Sequence, residues 1–103
     1  MNPSESRLSI ATVAGGWTLA GEIDACSSGE LAEAFTHVPE AADGIIEVDV
    51  AGITFIDSSG LRVLLELAER MAAVGGRVAL RNPSGIVSRI IEITGLESTF
   101  ELG

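Results

Sequence analysis

Between residues 45 and 74 the hydrophobic period changes once. IIEVDVAGITFI (45–56) is a β-branched run, LRVLLELAERMAAV (61–74) repeats its apolar residues every three and four, and only DSSG (57–60) separates them. A strand that runs straight into a helix must bring its chain back to the sheet by a crossover, so this stretch predicts a parallel strand–helix–strand unit. The first run is too apolar to be half exposed, and residues 45–50 read as a central strand. In the helix Leu61, Leu64, Leu65, Ala68, Met71 and Ala72 form the core stripe, ended by Gly75 and Gly76. RVALR (77–81) is the returning strand.

The flanks extend the same pattern. RLSIATV (7–13) places Leu8, Ile10 and Thr12 on one side of a strand, Gly15 and Gly16 offer a hairpin turn, and WTLAGEI (17–23) alternates again before Asp24 closes it. From Cys26 to about Val38 the period becomes helical, with Leu31, Ala34, Phe35 and Val38 inward. Ser27 or Ser28 is positioned to cap this helix, Glu30 or Glu33 lies near its positive end, and Pro39 stops it. Asn82–Pro83–Ser84 caps a last helix with the stripe Val87, Ile90, Ile91 and Thr94, ended by Gly95. Leu96 and Phe100 then pack the tail onto the sheet as a short edge strand. The expected fold is α/β: a mixed sheet of four to five strands with three helices mostly on one side, in a single domain spanning 1–103 with its core at about 8–102. No internal repeat or linker is evident.

Composition narrows the function. With 103 residues there is material for one core. Six basic against 15 acidic residues give a net charge of −9, which repels nucleic-acid backbones and anionic lipid heads and suits a protein partner with a basic face. Mean hydropathy is +0.41, yet charges interrupt every apolar stretch before the roughly 20 residues a bilayer span needs. MNPSESRLS has no apolar signal core, so the chain reads as cytosolic. Cys26, alone, forms neither an internal disulfide nor a multi-cysteine metal site and reads as a small half-buried residue, with a redox-sensitive thiol as the alternative; His37, also alone, reads as a surface residue near a helix end.

DSSG has two readings. Ser58 or Ser59 can cap the helix through a side-chain oxygen, Asp57 complements the helix dipole, and Gly60 permits close backbone approach. Alternatively, Ser58 is a phosphoacceptor: a charge of about −1.5 to −2 added at a helix start would meet free N–H groups and the positive dipole end. Asp57 and Asp24, the latter at the end of a strand lying alongside, would make that patch strongly anionic. Arg62, four residues on, can answer part of the charge or stand solvated on the outer face. A serine nucleophile lacks a base, since no G-x-S-x-G elbow or second histidine is present, and there is no nucleotide fingerprint. Glu30, Glu33, Glu66 and Glu69 read as solvated.

VDVAGITFIDSSGLRVLLELAERMAAVGGRVALRNPSGIVSRIIEITGLESTFEL, together with GEIDACSSGEL at 21–31, resembles the STAS domain, and in particular the free-standing anti-sigma factor antagonists. The resemblance implies the STAS fold and a partner-switching cycle. The unphosphorylated antagonist binds an anti-sigma factor of the ATP-binding serine kinase type and releases a sigma factor. The kinase then phosphorylates the antagonist, and a metal-dependent phosphatase resets it. Carried onto this sequence, the phosphoacceptor is Ser58, Ser59 is the neighbour that caps the helix, Gly60 lets the kinase approach, and Asp24 with Asp57 helps form the partner surface. Arg62 departs from members that carry glycine there and bears on partner identity. ATP and Mg²⁺ belong to the partner, so no cofactor is expected. The alternative is a STAS-domain subunit of a transporter or stress-signalling complex, in which DSSG is only a helix cap.

Overall fold

The two hydrophobic periods build two layers in the computed structural model, which describes residues 7–41 and 43–103. The stretch MNPSES, part of the signal-core reading, lies outside them. Strands β1 (Leu8–Val13) and β2 (Gly16–Ile23) form the expected antiparallel hairpin, turning at Gly15 with φ +75, a left-handed conformation that glycine adopts without steric cost. After them come α1 (Ser28–Ala34), β3 (Ile45–Ile56), α2 (Ser58–Ala73), β4 (Arg77–Arg81), α3 (Gly85–Thr94) and β5 (Glu101–Leu102). The sheet order is β1-β2-β3-β4-β5, with β2, β3, β4 and β5 mutually parallel.

One face of the sheet carries the helices. Leu19, Ile23, Ile46, Val48, Val50, Ile53 and Leu80 are buried there against Leu31, Leu64, Leu67, Val87 and Ile91. Each fully buried aliphatic side chain contributes about 1.5–3 kcal/mol. Trp17 of β2 and Phe35 at the end of α1 meet with ring centroids 4.6 Å apart and planes at 51°, which fixes α1 over the sheet. The Arg70 guanidinium donates to the Phe35 carbonyl at 2.6 Å and ties the end of α1 to α2.

Several expectations need correction. β3 is half exposed, because its second face, with Glu47, Thr54 and Phe55, carries no helix. It also runs to Ile56 instead of ending at Val50, passing Ala51–Gly52 through irregular pairing with β2. On the open face Ala79 lies in register between Glu47 and Glu101, and Arg81 bonds both carboxylates at 3.4 Å, so the alanine is wholly covered. α1 is shorter than its periodicity predicts: Val38 lies beyond it and is exposed, and Pro39 follows a helix already ended. Ala72 and Thr94 are exposed. Ser84 precedes α3 without a side-chain cap bond, and its buried hydroxyl has no partner among the described residues. No helix among the described residues is long and apolar enough to cross a membrane.

Candidate functional site

β2 and β3 end level, with Ile23 opposite Ile56. Each isoleucine is followed by an aspartate, so Asp24 and Asp57 leave the sheet side by side, joined by a hydrogen bond of 3.1 Å from the Asp57 N–H to the Ile23 carbonyl. The site therefore lies beyond the carboxyl ends of parallel strands, where open α/β sheets place their ligands.

Asp57 starts α2. Its backbone is extended (φ −115, ψ −172), and its Oδ1 accepts from the N–H groups of Ser59 at 2.9 Å and Gly60 at 3.2 Å. Its carbonyl accepts from the Leu61 N–H at 3.0 Å. The cap is thus Asp57, and neither Ser58 nor Ser59 performs it, contrary to expectation: the cap belongs to the last non-helical residue, and Ser58 is already inside the first turn. A second expectation is narrowed. A phosphate on Ser58 would not meet free N–H groups at Ser59, Gly60 or Leu61, since Asp57 occupies all three and its carboxylate already answers the dipole; the N–H of Ser58 itself is left.

Relieved of capping, Ser58 is exposed, and its hydroxyl makes no hydrogen bond with the described residues. Ser59 is half-buried beside it. Gly60 is buried: a Cβ there would stand 2.5 Å from Ile23 Cγ2 and 3.0 Å from the Ile23 carbonyl oxygen. The close approach that Gly60 permits is therefore by β2, and the residue offers a partner no surface.

Ser58, Ser59, Arg62 and Val63 face Ser28, Gly29 and Ala32 of α1 across an open groove of about 440 Å³. The α1 wall was missed from sequence. Its only signal is the run of small residues SSG at 27–29, which keeps that side low. Asp24 and Asp57 stand at the strand ends behind the groove and do not line it. Arg62 is exposed and paired with no carboxylate among the described residues.

Asp24 organises the α1 entrance. Its Oδ1 accepts from the Cys26 and Ser27 N–H groups at 2.9 and 3.1 Å. Ser27, wholly buried, donates its hydroxyl to the Glu22 carbonyl at 2.8 Å and accepts from the Asp24 N–H at 2.9 Å. It occupies the N-cap position without a side-chain cap bond, so the expected serine cap of α1 is also replaced by an aspartate turn. Cys26 is exposed, not half-buried, because the turn directs it outward. His37 is exposed and its Nδ1 lies 3.0 Å from the Thr36 hydroxyl. Glu30, Glu33, Glu66 and Glu69 are exposed.

A family model described as "Mlab, STAS domain" matches residues 6–102. The anti-sigma-B factor antagonist of Bacillus subtilis (strain 168) is 32% identical over 85 residues, 82% of this chain and 76% of that protein. An anti-sigma factor antagonist from Mycobacterium paratuberculosis shares the fold with a TM-score of 0.71 at 24% identity, covering 97% of this chain and 86% of that one. The Bacillus cell fate determinant SpoIIAA in its phosphorylated form gives a TM-score of 0.67 at 20% identity, covering 93% of this chain and 90% of its own.

Proposed function

The chain belongs to the STAS domain family, and on that premise we propose that it is an anti-sigma factor antagonist switched by phosphorylation of Ser58. The unphosphorylated form binds an anti-sigma factor of the ATP-binding serine kinase type and thereby releases a sigma factor. The observation that carries this reading is the division of labour in DSSG: Asp57 holds the helix start, and Ser58 is exposed with an idle hydroxyl. A motif that existed only to cap would have no need of Ser58.

The groove suits a binding role better than catalysis. Its walls of Ser28, Gly29, Ala32 and Ser59 are low, so a partner's main chain can approach Ser58 closely. The partner's ATP supplies the phosphoryl group: Ser58 Oγ attacks the γ-phosphorus, its proton leaves to a base on the kinase, and ADP departs. The product carries about −1.5 to −2 additional charge on the partner surface. A partner closing over it would have to desolvate that anion beside Asp57 and Asp24, so the complex separates. Hydrolysis by a metal-dependent phosphatase restores the hydroxyl.

Intact-mass analysis after incubation with the cognate kinase and ATP tests the reading. One addition of about 80 Da, absent in Ser58→Ala, is expected, with weaker kinase binding by Ser58→Asp from the added anion. An undiminished addition in Ser58→Ala would move the site elsewhere. Purification from native cells with a transporter ATPase and no phosphorylated fraction would favour the subunit alternative.

A further inference from the structure

We propose that Arg62 is the intramolecular counter-ion of the phosphoryl group on Ser58; this rests on Ser58 being the modified residue. The helix start offers little to answer the new charge beyond the N–H of Ser58 itself, because Asp57 takes the N–H groups of Ser59, Gly60 and Leu61 and adds a negative charge of its own. The compensation must come from a side chain. Arg62 is one helical turn on from Ser58, and both line the same groove. Helical side chains lean toward the N-terminus, so the long Arg62 side chain reaches back over position 58.

The other cations stand elsewhere. Arg7 pairs with Glu22, Arg81 with Glu47 and Glu101, and Arg70 is held by the Phe35 carbonyl. Arg77 begins β4 and Arg89 is on α3. Arg62 is the one basic residue in the groove lining, and no carboxylate among the described residues holds it: Glu66, its neighbour one turn on, forms no ion pair with it. A guanidinium offers a planar pair of donors that matches two phosphate oxygens.

Phosphorylation then changes the partner surface twice. It adds an anion, and it withdraws a cation that in the unmodified chain is free to meet an acidic group of the partner. The acidic groups on the elements that meet at the groove are Asp57 at the cap, Asp24 at the adjoining strand end, Glu66 one turn beyond Arg62, and Glu30 and Glu33 on α1. These carboxylates disfavour the second ionisation of the phosphate, and Arg62 is the one side chain of the groove lining whose charge favours it.

The test uses the full chain with phosphoserine installed at position 58 during translation, so that no kinase is required. Phosphorus NMR follows the second ionisation, which for a free phosphoserine falls at about pH 6. The midpoint in the otherwise wild-type chain is expected about half a pH unit below that of Arg62→Gln, with most of the difference kept by Arg62→Lys. Arg89→Gln, a charge change outside the groove, should titrate like wild type. Equal midpoints in wild type and Arg62→Gln overturn the proposal, as does an equal rise in Arg89→Gln. Either result is independent of whether a kinase modifies Ser58, which the mass measurement decides separately.

Discussion

Helices α1 and α2 begin from the same residues and bury opposite ones. Each follows a strand that ends in isoleucine and is succeeded by an aspartate, and each aspartate accepts from the N–H groups two and three residues on. Each start contains Ser-Ser-Gly, at 27–29 and 58–60. In α1 the first serine is wholly buried and the glycine is exposed with open space around it; in α2 the first serine is exposed and the glycine is packed on Ile23. The difference is Ala25–Cys26, two residues inserted between aspartate and serine. At about 100° per residue they turn the triplet by roughly 200°, which exchanges the inner and outer faces. The middle serines, Ser28 and Ser59, line one groove from either side. A free serine hydroxyl thus follows from spacing as much as from residue type.

The glycines should separate the two starts most. Gly60→Ala forces a methyl into Ile23 and should cost about 2–3 kcal/mol in urea unfolding, whereas Gly29→Ala should be neutral or stabilise by up to about 1 kcal/mol. Equal losses at both positions would show that the two starts are packed alike. Next come the serines: Ser27→Ala strands the Glu22 carbonyl and the Asp24 N–H and should cost about 1–3 kcal/mol, while Ser58→Ala should stay within about 0.5 kcal/mol. A large loss in Ser58→Ala would reveal a structural role for its hydroxyl. The aspartates should differ least. Asp24→Ala and Asp57→Ala should each cost about 1 kcal/mol, and Asp57→Ala should speed amide exchange at Ser59 and Gly60 while leaving Cys26 and Ser27 unchanged.

The order of elements was legible because each change of period coincides with a glycine, a proline or an aspartate. β1, β2 and β4 fall where alternation or β-branching places them, β3 starts where expected but runs six residues further, and Phe100 is buried as its place in the tail suggests. The capping residues were not legible, since aspartate and serine both satisfy the N-cap preference and the sequence does not say which one is the last non-helical residue. The open face of the sheet was hidden for a different reason. Ile45, Ala51 and Phe55 make β3 read as buried on both sides, and only the placement of all three helices against the opposite face leaves them half-covered or bare. In DSSG the sequence marked Ser58 correctly as a surface hydroxyl and Asp57 as the partner of the helix start, but gave the cap to a serine. Gly60 turned out to serve β2, and the groove's second wall comes from a helix about 30 residues earlier in the chain, a proximity that no local pattern encodes.

Because the Asp57 carboxylate secures the helix start alone, position 58 is free to vary without the fold registering the change. Threonine, alanine or an acidic residue there would each leave the cap bonds to Ser59 and Gly60 in place. On the proposed role of Ser58, a lineage could gain, lose or freeze the switch by altering one codon, with folding stability encoded on an adjacent but separate letter.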